Sequence, residues 1–512
     1  MDPALESLGD LLARQTDAFG ERDFISFGDG TTLTYTSFNE RVSRARGLLA
    51  SSGIGPGDRV ALMMKNSLFY PTAWLGALTL GAVAVPVNSR LGPDDAAHIV
   101  GHSDARLVVC DASTAPVARR VAGDAVLEVG TQEHAPAALM AAEPIPEGSC
   151  TGGTLANVQY TSGTTGFPKG CLLTHGFWQR MGDVAVALLR LGPGKRILTA
   201  QPFSYIDPMW VVVATLRSGA HMVVLDGFHP STMMRNVTEW KISTFYCLGA
   251  MPTLLLKQPP APWDRDHALE RVSCSAIPPA LHAEIEERWG VPWLEAFGMT
   301  ETGINIAVPD EEHDDLVGSG SIGRPLDHCE ASVVDSEGRD VPAGEVGELR
   351  VRGLGFMEGY LDDPEATARF FRDGWAHTGD LVEMDERGRI YFRGRIKEMV
   401  RRGGENISQA EVEFALRVHP DVLDCAVAGV PDEIMGEEAK AYVVLVSGRR
   451  PDPQALHAFL GARLAAFKVP RYYEFRDDLP RTPSERSVKS RLEDGRVSWN
   501  EGTYDARAGR WL

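Results

Sequence analysis

The chain has seven cysteines, an odd number, and no two of them stand as a Cys-x-x-Cys pair. A disulfide framework and a zinc finger are thereby excluded as organising devices, and free thiols in a reducing cytoplasm are expected. Basic residues are also in short supply: 51 Lys and Arg face 70 Asp and Glu, a formal net charge of −19. Such a chain repels phosphate backbones, so nucleic acid is not an expected partner, and any anionic ligand must be held by local donors. The opening Met1-Asp2-Pro3-Ala4-Leu5-Glu6 lacks the basic and apolar regions of a secretion signal. No short-period repeat is present. The longest uncharged run, residues 66–89, is long enough to cross a bilayer, but Pro71, Gly76, Gly81 and Pro86 interrupt it. It reads as a buried helix leading into a buried strand, with no membrane span.

What is present is ordinary globular material: 512 residues, 44% hydrophobic and 24% charged. That length exceeds what one core organises, so at least two domains are expected. Residues 59–63, 106–110, 222–225 and 243–246 read as buried strands, with helical stretches such as 70–80 between them. The alternation predicts an α/β fold of largely parallel sheets covered by helices. Between about residues 318 and 350 the texture shifts to short strands and tight turns, predicting a β subdomain. A boundary is placed at 395/396, in Gly394-Arg395-Ile396-Lys397. Beyond it, residues 408–417 and 453–464 read as helices, the second with proline in its first turn, and 441–446 as a strand. A compact α+β unit of roughly a hundred residues fits this pattern.

The most informative stretch is Tyr160-Thr161-Ser162-Gly163-Thr164-Thr165-Gly166-Phe167-Pro168-Lys169-Gly170. Small residues let backbone approach a ligand closely, and consecutive N–H groups form an anion-binding nest. The hydroxyls of Ser162, Thr164 and Thr165 add donors, and Lys169 adds a positive charge. No glycine directly precedes the lysine and no Ser or Thr follows it, so this is not a Walker loop. A bare Gly/Ser/Thr cluster is more often a surface turn. The following lysine and the apolar Cys171-Leu172-Leu173 favour a phosphate cradle.

This run resembles the signature loop of adenylate-forming enzymes: acyl-CoA synthetases, peptide-synthetase adenylation domains and luciferases. Further motifs follow in that family's order over nearly the whole chain. The family fold has a large N-terminal domain of two α/β subdomains plus a β subdomain, then a small mobile α+β C-terminal domain, here residues 1–395 and 396–512. The resemblance assigns Thr165, Lys169, Glu301 and Arg486 to catalysis. Phe297-Gly298-Met299-Thr300-Glu301-Thr302 resembles the motif whose aromatic stacks near adenine, whose threonine meets the α-phosphate and whose glutamate helps hold Mg²⁺. With Thr161, Ser162, Gly163 and Thr164, these residues form the implied nucleotide site. By itself a Thr-Glu pair more often starts a solvated helix.

Asp380, in His377-Thr378-Gly379-Asp380, resembles the ribose-binding aspartate, whose two acceptor oxygens match a vicinal diol. Arg395 matches the second ribose contact and Lys397 the hinge between the domains. Gly403, Gly404 and Glu405 resemble the loop lining the pantetheine tunnel of coenzyme A. Ala276-Ile277-Pro278 stands where the family has an adenine-contacting Gly-Ala-Pro, a bulkier replacement. Tyr205, Trp210, Cys247, Gly249 and Met251 take acyl-pocket places by family position only. Asp207 is the only charge near them, which favours an apolar or alicyclic acid.

One departure stands out. Relatives end with Pro-x-Thr-x-x-Gly-Lys, whose lysine bridges the substrate carboxylate and the α-phosphate. This chain reads Pro480-Arg481-Thr482-Pro483-Ser484-Glu485-Arg486-Ser487-Val488-Lys489. Glu485 replaces the glycine, Arg486 replaces the lysine, and Lys489 falls on a separate position. Arginine keeps the charge but is planar and forked, a poor substitute for a point charge. The resemblance therefore implies an acyl-CoA ligase using ATP/AMP, Mg²⁺ and CoA, in which the adenylation half is in doubt. The thioester half uses a different small-domain orientation and looks intact. Three versions stay open: CoA transfer to an acyl-adenylate supplied by a separate adenylating enzyme, a complete two-step synthetase, and a non-catalytic AMP- or acyl-binding protein. A homodimer is expected because dimers are common among relatives.

Overall fold

The computed structural model describes the whole chain except residues 1–5, 162–167, 403–404, 433, 482–487 and 495–497. The uncharged run forms the helix Phe69–Leu80, all twelve residues of which are buried, and then the strand Val83–Pro86. Gly81 ends that helix in the left-handed conformation, φ 86°, which a glycine adopts without steric cost. A helix apolar on every side must be enclosed on every side, which is why this run resembled a membrane span. Among the described residues no helix is long and apolar enough to cross a membrane.

Val83–Pro86 belongs to a six-stranded sheet, ordered Val126–Val129, Leu107–Asp111, Arg59–Met63, Val83–Pro86, Leu155–Thr161 and Lys169–Thr174. All its neighbours run parallel except the last two, which form an antiparallel pair. The strand expected at 106–110 is shifted by one residue. Arg106 stays at the sheet's margin, where its guanidinium pairs with Asp58 at 2.8 Å.

The largest sheet has fourteen strands. Its parallel part runs through Asp23–Phe27, His221–Val224, Arg196–Thr199, Thr244–Leu248, Arg271–Ser275 and Trp293–Met299. It then continues without a break through antiparallel strands, among them Gly303–Ala307, Ser321–Pro325, Ile390–Arg395 and Trp375–Met384. The β-rich region expected from about residue 318 is thus the antiparallel extension of a parallel sheet. The site candidates Ala276, Ile277, Pro278, Phe297, Gly298, Met299, Thr300, Glu301, Asp380 and Arg395 hang from this one sheet or the turns at its strand ends.

The C-terminal part folds on its own core, including Val400, Ile407, Val412, Leu416, Cys425 and Tyr473. Its seven-stranded sheet carries the helices Gln409–Arg417 and Pro453–Gly461. Ser408 Oγ caps the first by accepting the N–H of Glu411, and Asp452 does the same for Ala455 in the second. All seven cysteines are free.

Candidate functional site

The strands Trp375–Met384 and Ile390–Arg395 are antiparallel, and their register sets Asp380 opposite Arg395. Arg395 Nε donates to Asp380 Oδ1 at 2.8 Å, and the Asp380 side chain is fully shielded from solvent. Gly394, with φ 139°, lets the chain pass Ser408; a Cβ there would lie 2.6 Å from the Ser408 hydroxyl. Both members of the pair line a cavity of about 1000 Å³ that lies between the large sheet and the helix Gln409–Arg417. Gly249, Ala276, Ile277, Pro278, Phe297, Gly298 and Lys397 line it as well. The adenine-segment, aromatic, ribose and hinge candidates are therefore gathered on one space.

Gly298 is required by close approach: a Cβ there would meet the carbonyl of Gly303 at 2.5 Å. Met299 ends the strand and Thr300 begins the turn, so the Thr-Glu pair starts no helix. Glu301 is only 8% exposed, and its Oε1 accepts the hydroxyl of Tyr360 at 2.9 Å. Burial raises its carboxyl above the usual range, against a backbone N–H, the Tyr360 hydroxyl and Arg395. Lys169 sits over the Tyr360 ring, 5.0 Å from its centroid, and 3.5 Å from Asp363. Tyr360 thus joins Lys169 of the first motif to Glu301 of the second. Thr161 and Lys169 are register partners on adjacent antiparallel strands. Ser162, Gly163, Thr164 and Thr165 fall between them in the sequence, outside the described residues. A buried carboxyl with raised proton affinity, reached through Tyr360 from Lys169, fits a hard divalent cation.

Of the acyl-pocket candidates, Gly249 faces the cavity. Trp210, Cys247 and Met251 are 2%, 0% and 1% exposed and are packed into the core. Trp210 meets Tyr246 edge to face at 5.2 Å. Tyr205 precedes the helix Ile206–Ser218, and its hydroxyl accepts from Asn88 Nδ2 at 3.4 Å.

Gly403 and Gly404, like Glu485 and Arg486, fall outside the described residues. Glu405 is exposed in a hairpin whose other strand ends at Arg402, and Arg402 is held by Glu438 at 2.6 Å. The described residues of this hairpin do not line the cavity. Lys489 does, but its ammonium is engaged by Glu398 at 3.0 Å and by Glu413 and Gln409 at 2.9 Å. Two residues on, Arg491 reaches Asp95 of the helix Pro93–His102 at 2.9 Å. His98 of that helix contacts the Pro168 carbonyl at 3.3 Å, so Arg491 of the tail abuts the helix beside the six-stranded sheet, near the strand Lys169–Thr174.

Sequence reasoning missed Glu295 and Tyr360. Glu295 is the one charged residue in the strand Trp293–Met299, a signal available in principle. Tyr360 carries no such mark.

Comparison with known proteins agrees with this geometry. Residues 12–361 match the family model of the AMP-binding enzyme, and residues 411–486 that of the AMP-binding enzyme C-terminal domain. The chain is 34% identical over 470 residues to a feruloyl-CoA synthase of Amycolatopsis, covering 90% of this chain and 94% of that one. It is 33% identical over 482 residues to the fatty acid–[acyl-carrier-protein] ligase ScoC of Streptomyces coeruleorubidus, covering 91% and 92%. Among solved structures, o-succinylbenzoate CoA synthetase of Bacillus subtilis, in complex with its acyl-adenylate intermediate, superposes with a TM-score of 0.84. It shares 27% identity, over 95% of this chain and 98% of that one. The motifs, the two matched domains and these relatives together place the chain in the adenylate-forming superfamily, among the acyl-CoA synthetases.

Proposed function

We propose that this protein forms an acyl-CoA thioester and AMP from an acyl-adenylate, and that its own adenylation of the free acid is weak. The observation that carries the reading is the Asp380–Arg395 pair facing a cavity closed by the small domain, which suits the ribose of an adenylate. The thiolate of CoA attacks the acyl carbonyl carbon, the bond from that carbon to the phosphate oxygen breaks, and AMP leaves. Phe297 and the 276–278 segment flank adenine, and Lys169 with Thr300 and the loop hydroxyls holds the α-phosphate. Mg²⁺ would be held by Glu301 and by phosphate oxygens, screening their charge when ATP is bound. The small domain, residues 396–512, turns about Lys397 to bring the Glu405 hairpin to the site in place of the tail.

The weak adenylation follows from Arg486 and gains support from Lys489. That lysine is the nearest alternative cation along the tail, and two carboxylates and an amide hold it. The names of the relatives favour a second reading, in which the chain performs both steps. Release of AMP from preformed acyl-adenylates plus CoA, measured beside carboxylate-dependent exchange of pyrophosphate into ATP, separates the two. Strong release with weak exchange supports the proposal. Strong exchange overturns it in favour of the two-step enzyme, and neither activity across a panel of adenylates leaves a binding protein.

A further inference from the structure

The strand Arg271–Ser275 ends beside Trp293–Met299, with Cys274 opposite Glu295. The chain then turns through Ala276 and Ile277 before the helix Pro279–Trp289 begins. Ala276 has φ 72°, the left-handed region that a residue with a Cβ avoids. Glu295 sits beneath this turn. One carboxylate oxygen accepts the N–H of Ala276 at 2.5 Å and the other the N–H of Ile277 at 3.0 Å. Ser275 is held in turn, its hydroxyl donating to the Ala296 carbonyl and meeting Tyr246 Oη at 2.6 Å.

This is an expensive way to hold a turn. Glu295 is 8% exposed, and burial pushes its carboxyl up to about 8, against the two N–H groups. Among the described residues no cation acts on it. Above about pH 8 the group is a buried carboxylate without a cation, which costs stability, and a neutral side chain of the same size would be easier to bury. Its position supplies the reason, because Ala276, Ile277 and Pro278 form a wall of the cavity that also holds Asp380 and Arg395.

We infer that Glu295 is a positioning residue for the nucleotide: its two oxygens clamp the strained turn at Ala276 in the shape that the adenine meets. The inference rests on the proposed reading that residues 276–278 contact adenine. Glycine at position 276 would adopt this backbone unaided, whereas alanine needs the clamp.

The test uses the full chain, with AMP titrated by calorimetry at pH 8.5 and thermal melts alongside. Glu295→Gln keeps one acceptor and turns an NH₂ toward the other N–H, so AMP affinity should fall about tenfold. The melting temperature should hold or rise, since a buried charge is removed. Adding Ala276→Gly to Glu295→Gln should restore affinity to within about threefold, because the turn no longer needs holding. Glu295→Asp, too short to reach both N–H groups, should behave as Glu295→Gln does and serves if that variant folds poorly. Wild-type AMP affinity in Glu295→Gln overturns the inference. So does a loss of melting temperature and affinity together that Ala276→Gly leaves unrescued, which would make Glu295 a plain helix-entry cap. Asp380→Ala separates the two levels. If it loses AMP while Glu295→Gln does not, the nucleotide site stands and this inference alone falls. If the unmodified protein binds no AMP, the underlying reading falls too.

Discussion

A carboxylate is valuable at this site for its second oxygen. One oxygen of Asp380 is engaged by Arg395, which fixes the plane of the carboxylate and its approach to a ribose diol. Asp380→Ala should weaken AMP binding by about 1–3 kcal/mol, by unpairing the hydroxyls and the guanidinium; calorimetry showing unchanged affinity would remove the assignment. Glu301 has a different partner, the Tyr360 hydroxyl. Tyr360→Phe keeps the ring beneath Lys169 but deprives the carboxylate of a donor. ATP affinity in the presence of Mg²⁺ should then fall by about tenfold, while AMP affinity without metal stays level. Equal losses for both ligands would show that Tyr360 only packs.

At the scale of single elements, the sequence exposed what depends on nearest neighbours along the chain. The buried helix Phe69–Leu80 and the capped helix Gln409–Arg417 were legible because apolar runs, caps and glycine stops are local signals. The joining of the β-rich strands to the parallel sheet was not, since it rests on pairing between distant strands such as Ser321–Pro325 and Ile390–Arg395. Among the site candidates, Asp380, Arg395 and Glu301 stand in recognisable motifs. Tyr360 and Glu295 emerge only when two segments meet, because neither a tyrosine nor a strand glutamate announces its partner. His175, at the start of the helix His175–Leu189, shows the same thing. Its Nδ1 accepts the N–H of Leu8, and burial holds its pKa down at about 4, against an ordinary 6.5. Above pH 6.5 the ring is neutral in folded and unfolded chains, and its contribution to stability is complete. As pH falls from 6.5 toward 4 the unfolded chain takes up the proton first, so stability is lost across that window. Melting temperatures should therefore drop between pH 7 and pH 5, and less steeply in His175→Asn, whose amide oxygen accepts without titrating. Parallel slopes for the two proteins would show that His175 has no such role.

Whole-molecule behaviour turns on which face the small domain presents to the cavity. Here the tail beyond residue 487 meets the helix Pro93–His102 of the large domain through Arg491 and Asp95, and the described residues of the Glu405 hairpin lie off the cavity. Thioester formation on our reading needs the reverse, with Lys397 as the pivot. Lys397→Pro fixes φ and removes an N–H. That variant should bind AMP nearly normally yet form thioester from acyl-adenylate at least about tenfold more slowly, and a normal rate would rule the pivot out. On our reading a tail lysine acts on the free acid, and at that place in the motif the sequence has Glu485 and Arg486 instead. A fork-shaped guanidinium after a residue with a Cβ cannot reproduce a lysine after glycine, neither in the shape of its charge nor in its backbone freedom. Stabilising the approach of two anions is an electrostatic task, and a displaced cation costs on the order of 3 kcal/mol, about a hundredfold in rate. Arg486→Lys alone leaves Glu485 to set the backbone, so the double change Glu485→Gly with Arg486→Lys is the fairer probe. Pyrophosphate exchange should rise by about a hundredfold in the double variant, with thioester formation from supplied adenylate unchanged. Exchange that is already strong in the unmodified protein, or that the double change leaves flat beside an intact thioester step, would show that Arg486 does not limit adenylation.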